Sequence, residues 1–300
     1  MAKTNYTYEI LIKDITLLAK TYPFLEISAI GSSSLGNALH CIRFGKGKKE
    51  VFYSASFHAN EWITSSLLMK FMKELCLAYI SNSTIYGYNA ASLFSSVSLY
   101  IVPMVNPDGV NIVTGGYLPE HAYSNVVQIS KNFPNIPFPN GWKANINGTD
   151  LNLQFPAKWE KAKEIKYAQG FNNPSPRDFV GFGPLTEPES LAIYNFTLLH
   201  NFSLILAYHT QGKEIYWQFL DYAPAKSLPI ANKFSKSSGY TVADAPYESS
   251  FAGYKDWFLQ EYKKPGYTIE AGLGISPLPI SQFDEIYKDN IGILVLGMVL

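Results

Sequence analysis

Arginine is almost missing from this chain: only Arg43 and Arg177 stand among its 24 basic residues. A planar two-pronged clamp for a carboxylate is best made from arginine, so Arg177 in the run PSPRDF is worth following. Cysteine is as scarce. Cys41 and Cys76 sit in apolar runs without metal-type spacing, which excludes a cysteine zinc knot and a disulfide scaffold and reads as two buried free thiols. No excess of one charge exists, since 24 acidic residues balance the 24 basic ones. No basic stripe invites nucleic acid or an anionic membrane. Long apolar runs are missing too. NIGILVLGMVL at the C-terminus is too short to span a bilayer. MAKTNYTYEILIKDITLLAK at the N-terminus scatters charges through an amphipathic helix, unlike a signal peptide. A cytoplasmic protein without a membrane span is the expectation. With no repeat and no Gly/Ser linker, residues 1–300 read as one domain.

What is present is an alternation of helical and strand-like patterns. Helices are predicted near residues 7–21, 61–80, 187–200, 224–238, 251–260 and 281–299. Strands are predicted at 25–30, 38–44, 50–56, 96–105, 203–208, 214–219 and 266–270. Such interleaving argues for an α/β layer built on a mixed sheet. Residues 106–186 carry much Pro, Gly and Asn and little periodicity, the composition of a long irregular wall or lid over a site.

The chemistry-bearing residues fall at strand ends. VFYSASFHANE runs from a strand into a polar corner that holds His58 and Glu61, three residues apart. LILAYHTQG ends a second strand at His209, and PGYTIEAGLG ends a third at Glu270. Two imidazoles, one carboxylate and a water make a hydrolytic zinc site, and open α/β sheets bind ligands at the carboxyl ends of their strands. Taken singly, each residue has a plainer reading: a corner histidine, a first-turn carboxylate favoured by the helix dipole, a strand-end salt bridge.

The motifs FHANEW, VPMVNPDGV, NGTDLNLQFPAKWE, PLTEPES, AYHTQG, YESSFAGYKDW and YTIEAG follow one another in this order. Together they resemble the zinc carboxypeptidase family, the M14 metallopeptidases, over essentially the whole chain. Within that family the closest likeness is to the bacterial γ-D-glutamyl-L-diamino acid peptidases, which cut cell-wall peptides. The resemblance implies a mixed eight-stranded sheet flanked by helices and one Zn2+ per chain on His58, Glu61 and His209. It further implies Glu270 as general base and Asp150 as the carboxylate that fixes a ligand histidine. Tyr247 best matches the family's loop tyrosine, with Tyr254 as rival. Lys255 falls where the family sets its side-chain pocket; Arg177, Asn152 and Gln211 are the other expected substrate contacts.

Two departures bear on substrate. Where the family reads Asp-Leu-Asn-Arg-Asn, this chain has Asp150-Leu151-Asn152-Leu153-Gln154. Asn147 stands where many bacterial members carry arginine. The expected activity is therefore cleavage of peptidoglycan-type peptides. An ordinary metallocarboxypeptidase, a zinc amidohydrolase of the aspartoacylase type and an inactive binding homologue stay open as alternatives.

Overall fold

The computed structural model of the chain describes residues 5–300. Along it run strands β1 (Glu26–Ser32), β2 (Ala38–Phe44), β3 (Lys49–Ala55), β4 (Thr84–Ile85), β5 (Tyr88–Asn89), β6 (Val97–Val102), β7 (Leu204–His209), β8 (Glu214–Tyr216), β9 (Thr241–Ala243) and β10 (Gly266–Glu270). The helices are α1 (Tyr8–Thr21), α2 (Ile63–Ile80), α3 (Ala90–Ser96), α4 (Pro107–Thr114), α5 (Glu120–Lys131), α6 (Trp159–Ala168), α7 (Pro188–Leu198), α8 (Ser227–Ser238), α9 (Tyr254–Tyr262) and α10 (Phe283–Val299). Among the described residues eight strands form one mixed sheet in the order β1-β2-β6-β3-β7-β10-β8-β9, and β4 and β5 make a small hairpin. The four central strands, β6, β3, β7 and β10, run parallel.

The strand sequences explain this order. Val51–Ala55 and Leu204–His209 are buried throughout, as parallel strands covered on both faces must be. Polar EISAIGS in β1 is largely exposed and takes the antiparallel edge. Side chains alternate across the sheet. Val51, Tyr53 and Ala55 join the core beneath α1, α2, α8 and α10, while Phe52 joins a second core with Phe155, Trp159, Ile193, Tyr254 and Trp257. The sheet is thus sandwiched, and the apolar C-terminal run is the buried helix α10. Its Gly297 lets α10 approach β3: a Cβ there would stand 2.5 Å from the Tyr53 hydroxyl, which donates to the Leu294 carbonyl at 2.8 Å.

One expectation holds only in part. Residues 106–186 are mostly irregular, but helices α4, α5 and α6 lie within them. In α4 the Asn-Pro-Asp-Gly run is a helix start rather than a turn. Asn106 Oδ1 accepts from Gly109 N at 3.0 Å, and Pro107 sits at the first helical position, where it needs no N–H partner. Helix α6 buries only Trp159, Ala162 and Lys166, too narrow a stripe to show as apolar periodicity. The strand expected over 96–105 stops at Val102, and that over 214–219 stops at Tyr216. Cys41 and Cys76 are buried and free, and burial pushes each thiol up to about 12.

Candidate metal centre

β3, β7 and β10 are neighbours and parallel, so their carboxyl ends open onto one place. After β3 the chain turns through Ser56 in the left-handed region, φ 52°. The corner is held by Ser56 N donating to Thr64 Oγ1 at 3.1 Å and by Thr64 Oγ1 donating to the Glu61 carbonyl at 2.7 Å. His58 and the short 3₁₀ turn Ala59–Glu61 follow, and the turn aims both side chains at the end of β7. There His209, packed parallel to the Phe57 ring at 6.0 Å, completes the set.

The ligand atoms converge. His58 Nδ1 lies 2.9 Å from Glu61 Oε1, His209 Nδ1 lies 2.9 Å from Glu61 Oε2, and the two Nδ1 atoms are 3.2 Å apart. Two ligands each bound to a tetrahedral zinc lie roughly 3.3 Å apart, so the residues fit that ion. His58 Nε2 sits 3.1 Å from Asp150 Oδ1; donation in that direction leaves the Nδ1 lone pair for metal. Asp150 is itself fixed by Asn152 N, which donates to Oδ1 at 3.1 Å, and by its own N–H bonded to the Phe179 carbonyl at 2.8 Å.

The charges point the same way. Burial works to lower the His58 pKa, yet Glu61 and Asp150 outweigh it and push it up to about 9. Burial works to raise Glu61, but His58, Lys143 and His209 hold it well below the usual carboxylate range. His209 is lowered by its burial. Two buried carboxylates, Glu61 and Asp150, thus demand positive charge at this spot, which a divalent ion satisfies.

Glu270 ends β10 in register with His209. Burial, then the nearby Glu61 charge, raises its pKa to about 8. The centre opens into a cavity of about 270 Å3 lined by His58, Asp150, Asn152, Leu153, Arg177, His209, Gln211, Lys255 and Glu270, so most of the residues singled out in the sequence meet there. Tyr247 does not line it. Its ring stands edge-on to Phe251 at 5.1 Å and is 59% exposed, though Pro246 and Ser249 beside it reach the cavity. Tyr254 is buried, with its hydroxyl 3.0 Å from that of Thr197. Asn147 faces away, donating to Glu187 and to Ser34.

Sequence reasoning missed a cation. Lys143 lines the cavity with Nζ 3.1 Å from Glu61 Oε1, and its backbone N–H donates at 2.7 Å to the carbonyl of Pro176, the residue before Arg177. Lys166 and Asp178 were missed too. Asp178 accepts from Lys166 Nζ and from Arg177 Nε, each at 2.7 Å. The signal for Lys143 was the short run GWKAN, just ahead of Asp150 in a segment without periodicity.

Fold and centre together define a zinc-dependent metallopeptidase. The chain belongs to the zinc carboxypeptidase family, whose sequence pattern (Peptidase_M14) matches residues 11–292. It is 44% identical over 297 residues to gamma-D-glutamyl-L-diamino acid endopeptidase 1 of Lysinibacillus sphaericus, a match covering 99% of this chain and 73% of that protein. Carboxypeptidase B of Bos taurus is 24% identical over 261 residues, 81% of this chain and 57% of that one. In fold it is similar to the carboxypeptidase A of Helicoverpa armigera, with a TM-score of 0.75, 18% identity and coverage of 98% of this chain and 73% of that chain. None of its described helices is long and apolar enough to cross a membrane.

Proposed function

We propose that this peptidase hydrolyses the amide between a γ-D-glutamyl group and a diamino acid in cell-wall peptides. The observation that carries the reading is the 44% identity, over nearly the whole chain, to an endopeptidase named for that bond. The cations around the cavity support it, because such a peptide carries carboxylates on both sides of the scissile amide.

His58, Glu61 and His209 would hold the zinc ion, which when bound would supply a water of lowered pKa and a Lewis acid for the scissile carbonyl. Glu270 takes the proton of the attacking water and passes it to the departing amine; its raised proton affinity suits both steps. Lys143 donates to the carbonyl oxygen as that oxygen gains negative charge. Asp150 keeps His58 in one tautomer and one orientation. Arg177 engages Asp178 through Nε alone, so its remaining N–H donors are free for a substrate carboxylate. Asn152 and Gln211 form polar walls, and Tyr247 takes part only if its loop moves inward.

The test is mass spectrometry of muropeptides incubated with zinc-loaded protein, with Glu270→Gln in parallel. The expected products are split at the γ-D-glutamyl amide. Glu270→Gln should retain zinc yet lose at least about 10²-fold in rate. Release of ordinary C-terminal amino acids instead would return the chain to the general carboxypeptidases, and loss of zinc in the variant would make Glu270 a ligand.

A further inference from the structure

The end of the sheet opposite the metal centre gathers lysines that the mechanism above does not use. Lys49 opens β3 with Lys48 before it, Lys263 and Lys264 lead into β10, and Lys226 stands just ahead of α8. Because β3, β7 and β10 are parallel neighbours, their amino ends share one face of the molecule. The seven residues of β3, at ~3.3 Å each, set that face roughly 20 Å from His58. A cleft of about 350 Å3 opens there, lined in part by Ser203, Lys226, Lys263 and Lys264. Along the chain the five lysines fall in three distant segments, so only the fold brings them together.

Their charges go unanswered. None of the five ammoniums forms a salt bridge among the described residues. Lys264 Nζ donates instead to the neutral Asn201 Oδ1. Glu50, next to Lys49 in the chain, is occupied by His200 Nδ1 at 3.1 Å and by Asn201 N, which donates at 2.9 Å. Burial, then the charge of Lys226, lowers the Lys49 pKa. A helix C-terminus favours a cation, which accounts for Lys263 at the end of α9. Lys226 has no such excuse. It caps the N-terminus of α8, the end that repels positive charge. Like charges held together at the wrong end of a helix cost stability, so this face calls for another use. Beside it stand two bare leucines. Leu198 and Leu199 close α7 and are 53% and 82% exposed, and Asn201 just beyond them is the partner of Lys264.

We propose that this face docks on an anionic lipid bilayer, with the lysines over the head groups, Leu198 and Leu199 in the interface and the metal centre turned away. Lysine is a point charge on a flexible stem and needs no fixed partner geometry, which suits a fluid layer of anionic head groups. A soluble polyanion would answer the charges and leave the leucines in water. A neutral bilayer would take the leucines and leave the charges. An anionic bilayer answers both, since apolar area and electrostatic attraction add at such a surface.

The test is sedimentation of zinc-loaded protein with vesicles of phosphatidylglycerol and phosphatidylcholine in equal parts, with phosphatidylcholine alone as the control. Binding is expected on the mixed vesicles only, and it should weaken as salt is raised. Removing three charges together, Lys48→Gln, Lys226→Gln and Lys263→Gln, should weaken it at least about thirtyfold, on a scale of roughly fivefold per lysine. Leu199→Ser keeps every charge and should weaken it at least about threefold. All four side chains are exposed, and unchanged zinc content and circular dichroism show that the variants fold. Absence of sedimentation with the mixed vesicles at low salt overturns the proposal, as does undiminished binding by the triple variant. If Leu199→Ser binds as wild type does, the face reads charge alone, as it would on a soluble polyanion, and the membrane assignment falls.

Discussion

At the scale of single residues, having lysine rather than arginine at position 143 has a chemical consequence. Lys143 presents a compact, rotatable point charge where a guanidinium would present a rigid fork. It can answer the charge that develops on one oxygen without also clamping a carboxylate in two places. Lys143→Met should therefore lower kcat by about 10²- to 10³-fold, as removal of one donor to such an oxygen does, while metal content and KM change little. A matching rise in KM with kcat intact would make Lys143 a binding residue instead. The candidate ligands, which the structure brings together, could be singled out in the sequence because His209 ends an apolar strand and His58 and Glu61 follow one, a pattern that shows in one dimension. Lys143 could not. Its partner Glu61 is 82 residues away, and only the folded path of the 133–150 segment brings the two together.

At the scale of elements, the loop before β2, the start of α4 and the start of α7 are fastened by buried carboxylates. Asp108 accepts from Ser33 Oγ, Leu35 N and Asn37 Nδ2 at 2.7–2.9 Å, and Glu189 accepts from Ser34 N at 2.9 Å. No lysine or arginine bonds to Glu189 among the described residues. Burial, the largest effect, together with Asp108 and Glu187, raises its pKa to about 7. The sign is definite. Between 4.5 and 7 the folded state holds a proton that the unfolded state has released, so stability falls as pH rises through this window. Glu189→Gln should raise the melting temperature at pH 8 and change it little at pH 4.5, with a gain of about 3 kcal/mol at most. An equal gain at both pH values would show that the carboxylate charge is not the cause. The strong strands and the long helices were readable as elements because burial imposes a period on them. Helices α4, α5 and α6 were not, since each is short or buries a narrow face, and their start signals resemble turns.

At the scale of the whole molecule, the metal centre joins segments that lie far apart along the chain. Glu61 and His209 are separated by 148 positions along the chain. Metal bound to the folded state alone stabilises it by mass action, by ~4 kcal/mol at a thousandfold excess over Kd. For a chain of this size that is an upward shift of about six degrees. Calorimetry of metal-free protein with and without added zinc should show it. Glu270→Gln should respond as wild type does, and His58→Ala should respond hardly at all; a full response in His58→Ala would take that residue out of the ligand set. The layered architecture could be read from alternation alone. The order of strands could not, since β6 inserts between β2 and β3 and adjacency of that kind is decided by which faces find cover.

The placement of His58, His209 and Glu270 at or just beyond the ends of β3, β7 and β10 also sets a clock on biosynthesis. His58 emerges from the ribosome early, but its partner His209 comes much later and Glu270 later still. Until residue 270 has been made and β10 has zipped alongside β7, a nascent chain has no complete centre. A peptidase arranged in this way stays silent while most of its own chain is being translated.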